Sequence, residues 1–244
     1  MSRKAAFHNL GCKVNSYEMD VMLQELKNKG YEIVPFEEKA DIYIVNTCTV
    51  TNIADRKSRQ MLHKAKKTNP EGIVVAVGCY VQSDTQGARE DDAVDLIIGN
   101  NKKKDLVSIL ENYMNGVEEE AVIDINHTDE YEEMKLTGTQ EHTRAYIKIQ
   151  DGCNQFCSYC LIPYARGRVR SRKAEDVLEE VRRLAGHGFK EVVLTGIHLS
   201  SYGIDTGDSL LHLIGLVHGV EGIERIRLGS LEPRIVTEDF AKAL

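Results

Sequence analysis

Apolar and polar positions alternate with two different periods along the first hundred residues. Residues 5–10, 42–45, 73–77 and 94–98 are short runs rich in apolar and β-branched side chains, the pattern of strands buried on both faces. Longer polar stretches with helical spacing separate them. Asn15-Ser16-Tyr17-Glu18 has the form of a capping box, with Asn15 as the cap and Glu18 three residues on. A helix is predicted from there to about Lys29, stopped by Gly30. A basic helix is predicted over 53–68, ended by Asn69-Pro70, and another over 103–113. Strands alternating with helices predict an α/β fold for residues 1–116, a parallel sheet covered by helices.

The pattern lapses over 117–142, read as a linker with one short strand at 121–125. It resumes in 143–244. Strands are predicted at 146–149, 191–194 and 225–228, with helices at 174–185, at 209–217 and from Thr237. Val177, Leu178, Val181 and Leu184 share one face of the first of these helices. A long loop separates that helix from the strand before it. Three β/α units do not close a barrel, so the last strand is expected to be an exposed edge.

Composition alters this picture in two places. The chain has 244 residues, 42% hydrophobic and 28% charged, the profile of a globular protein with room for two domains. No apolar stretch approaches the roughly 20 residues that span a bilayer. The apolar run at the N-terminus is too short for a signal peptide. A cytoplasmic protein with no membrane partner is therefore expected. The net charge of −7 sits in one place: residues 117–142 hold nine acidic residues against one lysine. The rest of the chain is close to neutral, so the acidic balance does not exclude a nucleic-acid partner.

The candidate chemistry lies in six cysteines. In a reducing compartment, clustered thiols point to metal or redox chemistry rather than disulfides. Cys153, Cys157 and Cys160 fall within eight residues, just past a predicted strand, where parallel strands present their loops. Three thiolates can ligate three irons of a cubane and leave the fourth open to a small chelating molecule. A zinc site is the alternative, but structural zinc takes four protein ligands and the nearest fourth candidates are distant in sequence. Cys12, Cys48 and Cys79 each closely follow a predicted strand, which puts all three at one edge of the sheet. They form a second three-thiol site, or else three independent buried thiols. None of the eight histidines has metal-ligand spacing.

The C-x-x-x-C-x-x-C loop, with Tyr159 before its last cysteine, resembles that of the radical S-adenosylmethionine superfamily. The resemblance implies a 4Fe–4S cluster on Cys153, Cys157 and Cys160. Its open iron binds the amino and carboxylate groups of S-adenosylmethionine, and one electron cleaves the carbon–sulfur bond to give a 5′-deoxyadenosyl radical. Tyr159 then lies beside the cofactor adenine, and Thr195 and Gly196 match the place that holds its methionine amino group. The chain carries Asn9-Leu10-Gly11-Cys12-Lys13-Val14-Asn15, Asn46-Thr47-Cys48-Thr49-Val50 and Gly78-Cys79, then Cys157 through Arg168 and Arg170-Ser171-Arg172. Together these resemble the methylthiotransferases of that superfamily over essentially the whole chain.

That family implies an N-terminal α/β domain, then a (β/α) radical barrel, of which residues 143–244 are expected to form a partial barrel that stops before closure. It implies two 4Fe–4S clusters, the second on Cys12, Cys48 and Cys79. The reaction replaces an adenine C–H by C–S–CH₃ and needs an electron donor; the sulfur source is not given. Gly11-Cys12-Lys13-Val14-Asn15 most resembles the branch that modifies threonylcarbamoyl-adenosine beside the tRNA anticodon. The branches acting on isopentenyl-adenosine and on a ribosomal-protein aspartate usually carry Gln-Met and Pro-Lys in place of Lys13-Val14. Arg166, Arg168 and Arg170, with Arg172 and Lys173, crowd the loop after the cysteines as contacts to RNA phosphates, some of them to the cofactor carboxylate instead. Arg56, Lys57, Arg59, Lys64, Lys66 and Lys67 line the helix after Cys48 as further phosphate contacts or as a solvated face. The family normally continues through more β/α units to a small RNA-binding β-barrel. From another class, a non-catalytic zinc-stabilised RNA-binding module is the remaining alternative.

Overall fold

The computed structural model describes residues 2–117, 119–137 and 144–244. The end of the proposed linker, 138–142, lies outside the described residues, as do Glu118 and residue 143.

Apolar strands form a five-stranded, wholly parallel sheet in the N-terminal half. Its strands are β1 (Lys4–Asn9), β2 (Glu32–Val34), β3 (Ile42–Thr47), β4 (Ile73–Gly78) and β5 (Leu96–Ile98), in the order β2-β1-β3-β4-β5. Ile42 and Ile44 face one side of the sheet, Tyr43 and Val45 the other, and all four are buried. Helices α1 (Lys13–Asn28) and α5 (Leu106–Met114) cover the first face, and α2 (Asn52–Thr68) covers the second. Two short helices, α3 (Cys79–Ser83) and α4 (Thr85–Arg89), follow β4. In α2, Thr51 caps the N-terminus by accepting the Ala54 N–H at 3.1 Å, and Ser58, Leu62 and Ala65 form the buried stripe.

Two expectations need correction. β2 was not predicted, because three residues at a sheet edge are too few to show a period. The capping box is also wrong. Cys12 occupies the cap of α1, and Asn15 and Glu18 lie inside the helix, both buried. Asn15 donates to the carbonyls of Leu10 at 2.6 Å and Thr47 at 3.1 Å. Glu18 is taken by cations from other elements rather than by free helix N–H groups.

The second half repeats the alternation. Its elements are β6 (Ala145–Asp151), α6 (Ile162–Arg166), β7 (Arg170–Ser171), α7 (Ala174–Gly186), β8 (Glu191–Gly196), α8 (Leu210–His218), β9 (Arg225–Leu228) and α9 (Glu238–Ala243). The sheet order is β7-β6-β8-β9, parallel except for β7. Val177, Val181 and Leu184 of α7 are fully buried, each contributing about 1.5–3 kcal/mol of transfer free energy. The long predicted loop contains α6 and β7, both too short to show in the pattern. β9 is the edge, as expected, and Arg225 and Arg227 on it pair with Glu191 at 3.0 and 2.5 Å.

The described part of the acidic segment contains no strand at 121–125; a single 3₁₀ turn, Ile125–His127, stands there. It is a strap rather than a free linker. The Ala121 carbonyl accepts Gly99 N–H at 2.8 Å, and the Ile123 carbonyl accepts Gln82 Nε2 at 2.9 Å. Tyr17 Oη donates to the Met134 carbonyl, while Leu136 N–H donates to Glu180 at 3.3 Å. The strap's own Ala121, Ile125, Met134 and Leu136 are buried. The strap binds the halves together alongside two direct packings, α1 on β6 and β8, and α3 on α6. Among the described residues, no helix is long and apolar enough to cross a membrane.

Candidate metal centres

Parallel pairing brings the N-terminal thiols together. Cys12 follows β1 within three residues, and Cys48 and Cys79 directly follow β3 and β4, which are neighbours in the order β1-β3-β4. Gly11 sits at φ +107°, and a Cβ there would fall 3.0 Å from Cys48 Sγ, so only glycine lets the Cys12 turn close over Cys48. Burial pushes the Cys48 thiol up, and the charges of Cys79 and Cys12 add to it against the Val50 N–H. Cys48 and Cys79 are buried, while Cys12 is exposed. Cys79 Sγ accepts N–H from Arg166 Nε at 3.2 Å and from Asn100 Nδ2 at 3.5 Å.

The second trio lies on the loop leaving β6. Gly152 turns it at φ +71°, where a Cβ would lie 1.7 Å from the Arg168 carbonyl. Cys153 N–H donates to the Gly167 carbonyl at 3.0 Å, and Cys160 N–H to the Cys157 carbonyl at 2.9 Å. Cys153 is buried, Cys160 half-buried and Cys157 exposed. Burial raises the Cys153 thiol, and Cys160 and Cys157 act on it in the same direction. Tyr159 is 92% exposed at the loop tip. Thr195 and Gly196 end β8 beside this loop: Gly196 pairs with Gln150, whose Oε1 accepts His198 N–H at 2.8 Å. Glu232, joined to His198 at 3.4 Å, bears electrostatically on Cys153; neither was singled out from the sequence.

Thiolates with N–H donors aimed at sulfur suit iron–sulfur chemistry, where hydrogen bonds to the sulfurs tune the centre. Among the described residues, no three His, Cys, Asp or Glu side chains gather closely enough to hold a single metal ion. A cubane spreads its thiolates over separate irons, a wider arrangement than the ligands of one ion.

The arginine loop departs from expectation. Arg166 and Arg170 are buried and cannot face an RNA phosphate. Arg166 spans to Glu18 at 2.5 Å, to Asp151 at 3.3 Å and to Asn15 Oδ1. Glu18 also holds Lys103 at 2.5 Å and Lys148 at 2.9 Å, and Lys148 holds Asp151 at 2.7 Å. Burial alone lifts the Glu18 carboxyl, but Arg166, Lys103 and Lys148 outweigh it and hold it well below the usual range. The same contest leaves Asp151 at about 2, with Lys148, Arg166 and Arg170 overcoming burial. Arg172 is likewise internal, paired with Glu180 at 2.5 Å and Glu133 at 3.2 Å. Only Arg168 of the three candidates is exposed, its guanidinium 4.4 Å from the Phe156 ring centroid. On α2, Arg59, Lys64 and Lys66 pair with Asp55, Glu37 and Asp95, while Arg56, Lys57 and Lys67 are exposed.

Residues 4–99 match the family described as Uncharacterized protein family UPF0004, and residues 147–244 match the Radical SAM superfamily. "Threonylcarbamoyladenosine tRNA methylthiotransferase MtaB" of Aquifex aeolicus is 44% identical over 99% of this chain and 59% of its own length. The Bacillus subtilis protein of the same name is 40% identical over 98% of this chain and 54% of its own. The "tRNA-2-methylthio-N(6)-dimethylallyladenosine synthase" of Pelotomaculum thermopropionicum is 35% identical over 92% and 52%. Among solved structures, the radical S-adenosylmethionine methyltransferase TsrM from Kitasatospora setae shares the fold, with a TM-score of 0.56 at 16% identity over 88% of this chain and 50% of its own. Fold and matched regions define a radical S-adenosylmethionine protein with a second α/β unit before its radical unit. The chain belongs to the radical S-adenosylmethionine methylthiotransferase family. It spans between half and three-fifths of the length of these relatives. Membership of the superfamily implies a 4Fe–4S cluster and S-adenosylmethionine.

Proposed function

We propose that this chain supplies the two cluster-holding units of an enzyme that adds a methylthio group to C2 of threonylcarbamoyl-adenosine next to the tRNA anticodon. Cys153, Cys157 and Cys160 hold the cluster that binds S-adenosylmethionine, and Cys12, Cys48 and Cys79 hold a second one. With its sulfonium cofactor bound, the first cluster supplies the one-electron chemistry needed to activate an inert aromatic C–H bond. Around it, Thr195 and Gly196 line the cofactor's amino-acid end and Tyr159 its adenine. The chain's own part is positional: β6 presents one thiol loop, with the end of β8 beside it, while β1, β3 and β4 each present one thiol of the other set. Of Arg166, Arg168 and Arg170, Arg168 is the one left to meet RNA, stacked on Phe156 at the surface.

The observation that carries this reading is the pair of three-thiol sets, each at the C-terminal end of parallel strands, one in each half. Higher identity to the two relatives named for threonylcarbamoyladenosine than to the one named for dimethylallyladenosine supports the choice of base. The experiment is mass spectrometry of nucleosides from tRNA of cells with and without the protein. The 2-methylthio-threonylcarbamoyl-adenosine peak should vanish with the gene, while 2-methylthio-isopentenyl-adenosine stays. An unchanged first peak refutes the proposal.

A further inference from the structure

Arg166 stands six residues after Cys160, on α6 of the radical half, yet its side chain reaches the other half. It is fully buried, and each of its five N–H groups has a partner. Nη1 serves Glu18 Oε1 at 2.5 Å and Asp151 at 3.3 Å. Nη2 serves Asn15 Oδ1 and Glu18 Oε2, the latter at 3.1 Å. That leaves Nε, which donates to Cys79 Sγ at 3.2 Å. A guanidinium is planar and rigid, so anchoring four of its N–H groups fixes where the fifth points. Ion pairing alone does not require this last contact. It puts a permanent cation against one thiol of the N-terminal trio and joins that thiol to the loop carrying the other trio.

We propose that Arg166 is a positioning residue that donates its Nε–H to the Cys79 thiolate and thereby sets the reduction potential of the N-terminal cluster from the radical half of the chain. This rests on the two-cluster reading above. A donor and a positive charge at a ligating sulfur withdraw electron density and favour the reduced cluster, so loss of either lowers the potential. Asn100, donating to the same sulfur at 3.5 Å and to the Ala165 carbonyl at 2.6 Å, holds α6 and Cys79 at this separation.

The test uses the full chain with Cys153, Cys157 and Cys160 replaced by alanine, so that only the N-terminal cluster remains. It is reconstituted anaerobically and titrated potentiometrically with detection by electron paramagnetic resonance. Arg166→Gln should shift the midpoint to more negative potential than the parent. Arg166→Lys keeps the charge for Glu18 and loses the Nε–H, and should fall between the two; it decides the matter where the glutamine variant does not fold. Glu180→Gln breaks a separate buried ion pair, to Arg172, and touches neither Arg166 nor sulfur, so it should leave the potential where the parent has it. Unchanged potentials in both Arg166 variants, with about four irons bound, overturn this inference alone. A shift of Glu180→Gln in the same direction as Arg166→Gln also overturns it, because that is the mark of general loosening. A parent that binds no iron at Cys12, Cys48 and Cys79 overturns the two-cluster reading and this inference with it.

Discussion

Replacing Glu18 by glutamine tests the buried charge cluster most directly. The carboxylate is about 1% exposed and has three cations within 2.9 Å: Lys103, Lys148 and Arg166. Glutamine keeps the shape and one acceptor oxygen but removes the charge. Lys103, Lys148, Arg166 and Arg170 then face Asp151 and Glu132 alone, and burial already raises the Glu132 carboxyl above its usual range. Removing one partner of a buried ion set costs roughly 3–5 kcal/mol, because the remaining charges stay desolvated. At about 2–4 °C per kcal/mol for a chain of this size, the melting temperature should fall by roughly 6–20 °C at pH 7. The pH dependence has a fixed sign. Glu18 titrates well below its ordinary value of 4.5 in the folded state, so its stabilisation is complete above that value and is lost as pH falls toward the folded pKa. Glutamine does not titrate. The gap between wild type and variant should therefore hold from about pH 7.5 to 5 and narrow below about pH 4.5. Thermal melts followed by circular dichroism across that range supply the measurement. A drop under about 2 °C at pH 7, or a gap that widens in acid, refutes the reasoning.

Three further outcomes are expected. Gly152→Ala places a methyl 1.7 Å from the Arg168 carbonyl at a positive φ, and backbone cannot step aside, so the purified variant should carry fewer irons and melt several degrees lower. Replacing Cys153, Cys157 and Cys160 together by alanine should reduce iron and sulfide from about eight to about four per chain after anaerobic reconstitution; a parent with about four that falls to zero holds only one cluster. Arg168→Ala should leave the melting temperature within the range of a neutral surface change, about 0.5 kcal/mol, while weakening tRNA binding and reducing its salt dependence by about one counterion, read by fluorescence anisotropy at several salt concentrations.

The backbone of this fold was legible wherever apolar residues ran long enough to show a period. β3 and β4 are unbroken runs buried on both faces, and the N-terminal sheet follows from them. β2 and β7, at three and two residues, carry no period to detect. The cysteines were legible because their spacing, or their position after a strand, is local. The charges were not. Glu18 looks like part of a capping box and Arg166 and Arg170 like surface cations, because sequence alone does not show partners 85 to 148 residues away. One signal was available: Lys148 interrupts the apolar strand Ala145–Asp151 at a position that must face a core, and a lysine there needs a buried acid. Asn100, which donates to Cys79, has no comparable mark in its neighbours.

A buried ion cluster is weak evidence for stability, since apolar side chains of similar volume would hold two halves together at least as well. Its value here lies in direction. An apolar contact between α1 and β6 could slide by part of a turn with little loss. Glu18 meeting Lys103, Lys148 and Arg166 at once admits one register only. The elements so fixed are those that present the thiols: α1 begins at Cys12, β6 runs into Cys153, and α6 follows Cys160. A slip of a few ångströms between the halves would alter the span between the two trios before it exposed any core. The methylthiolation proposed above, which joins a sulfur carried by one half to a carbon activated at the other, would depend on that span. The charges therefore belong where they are found, between the halves, rather than spread through either core.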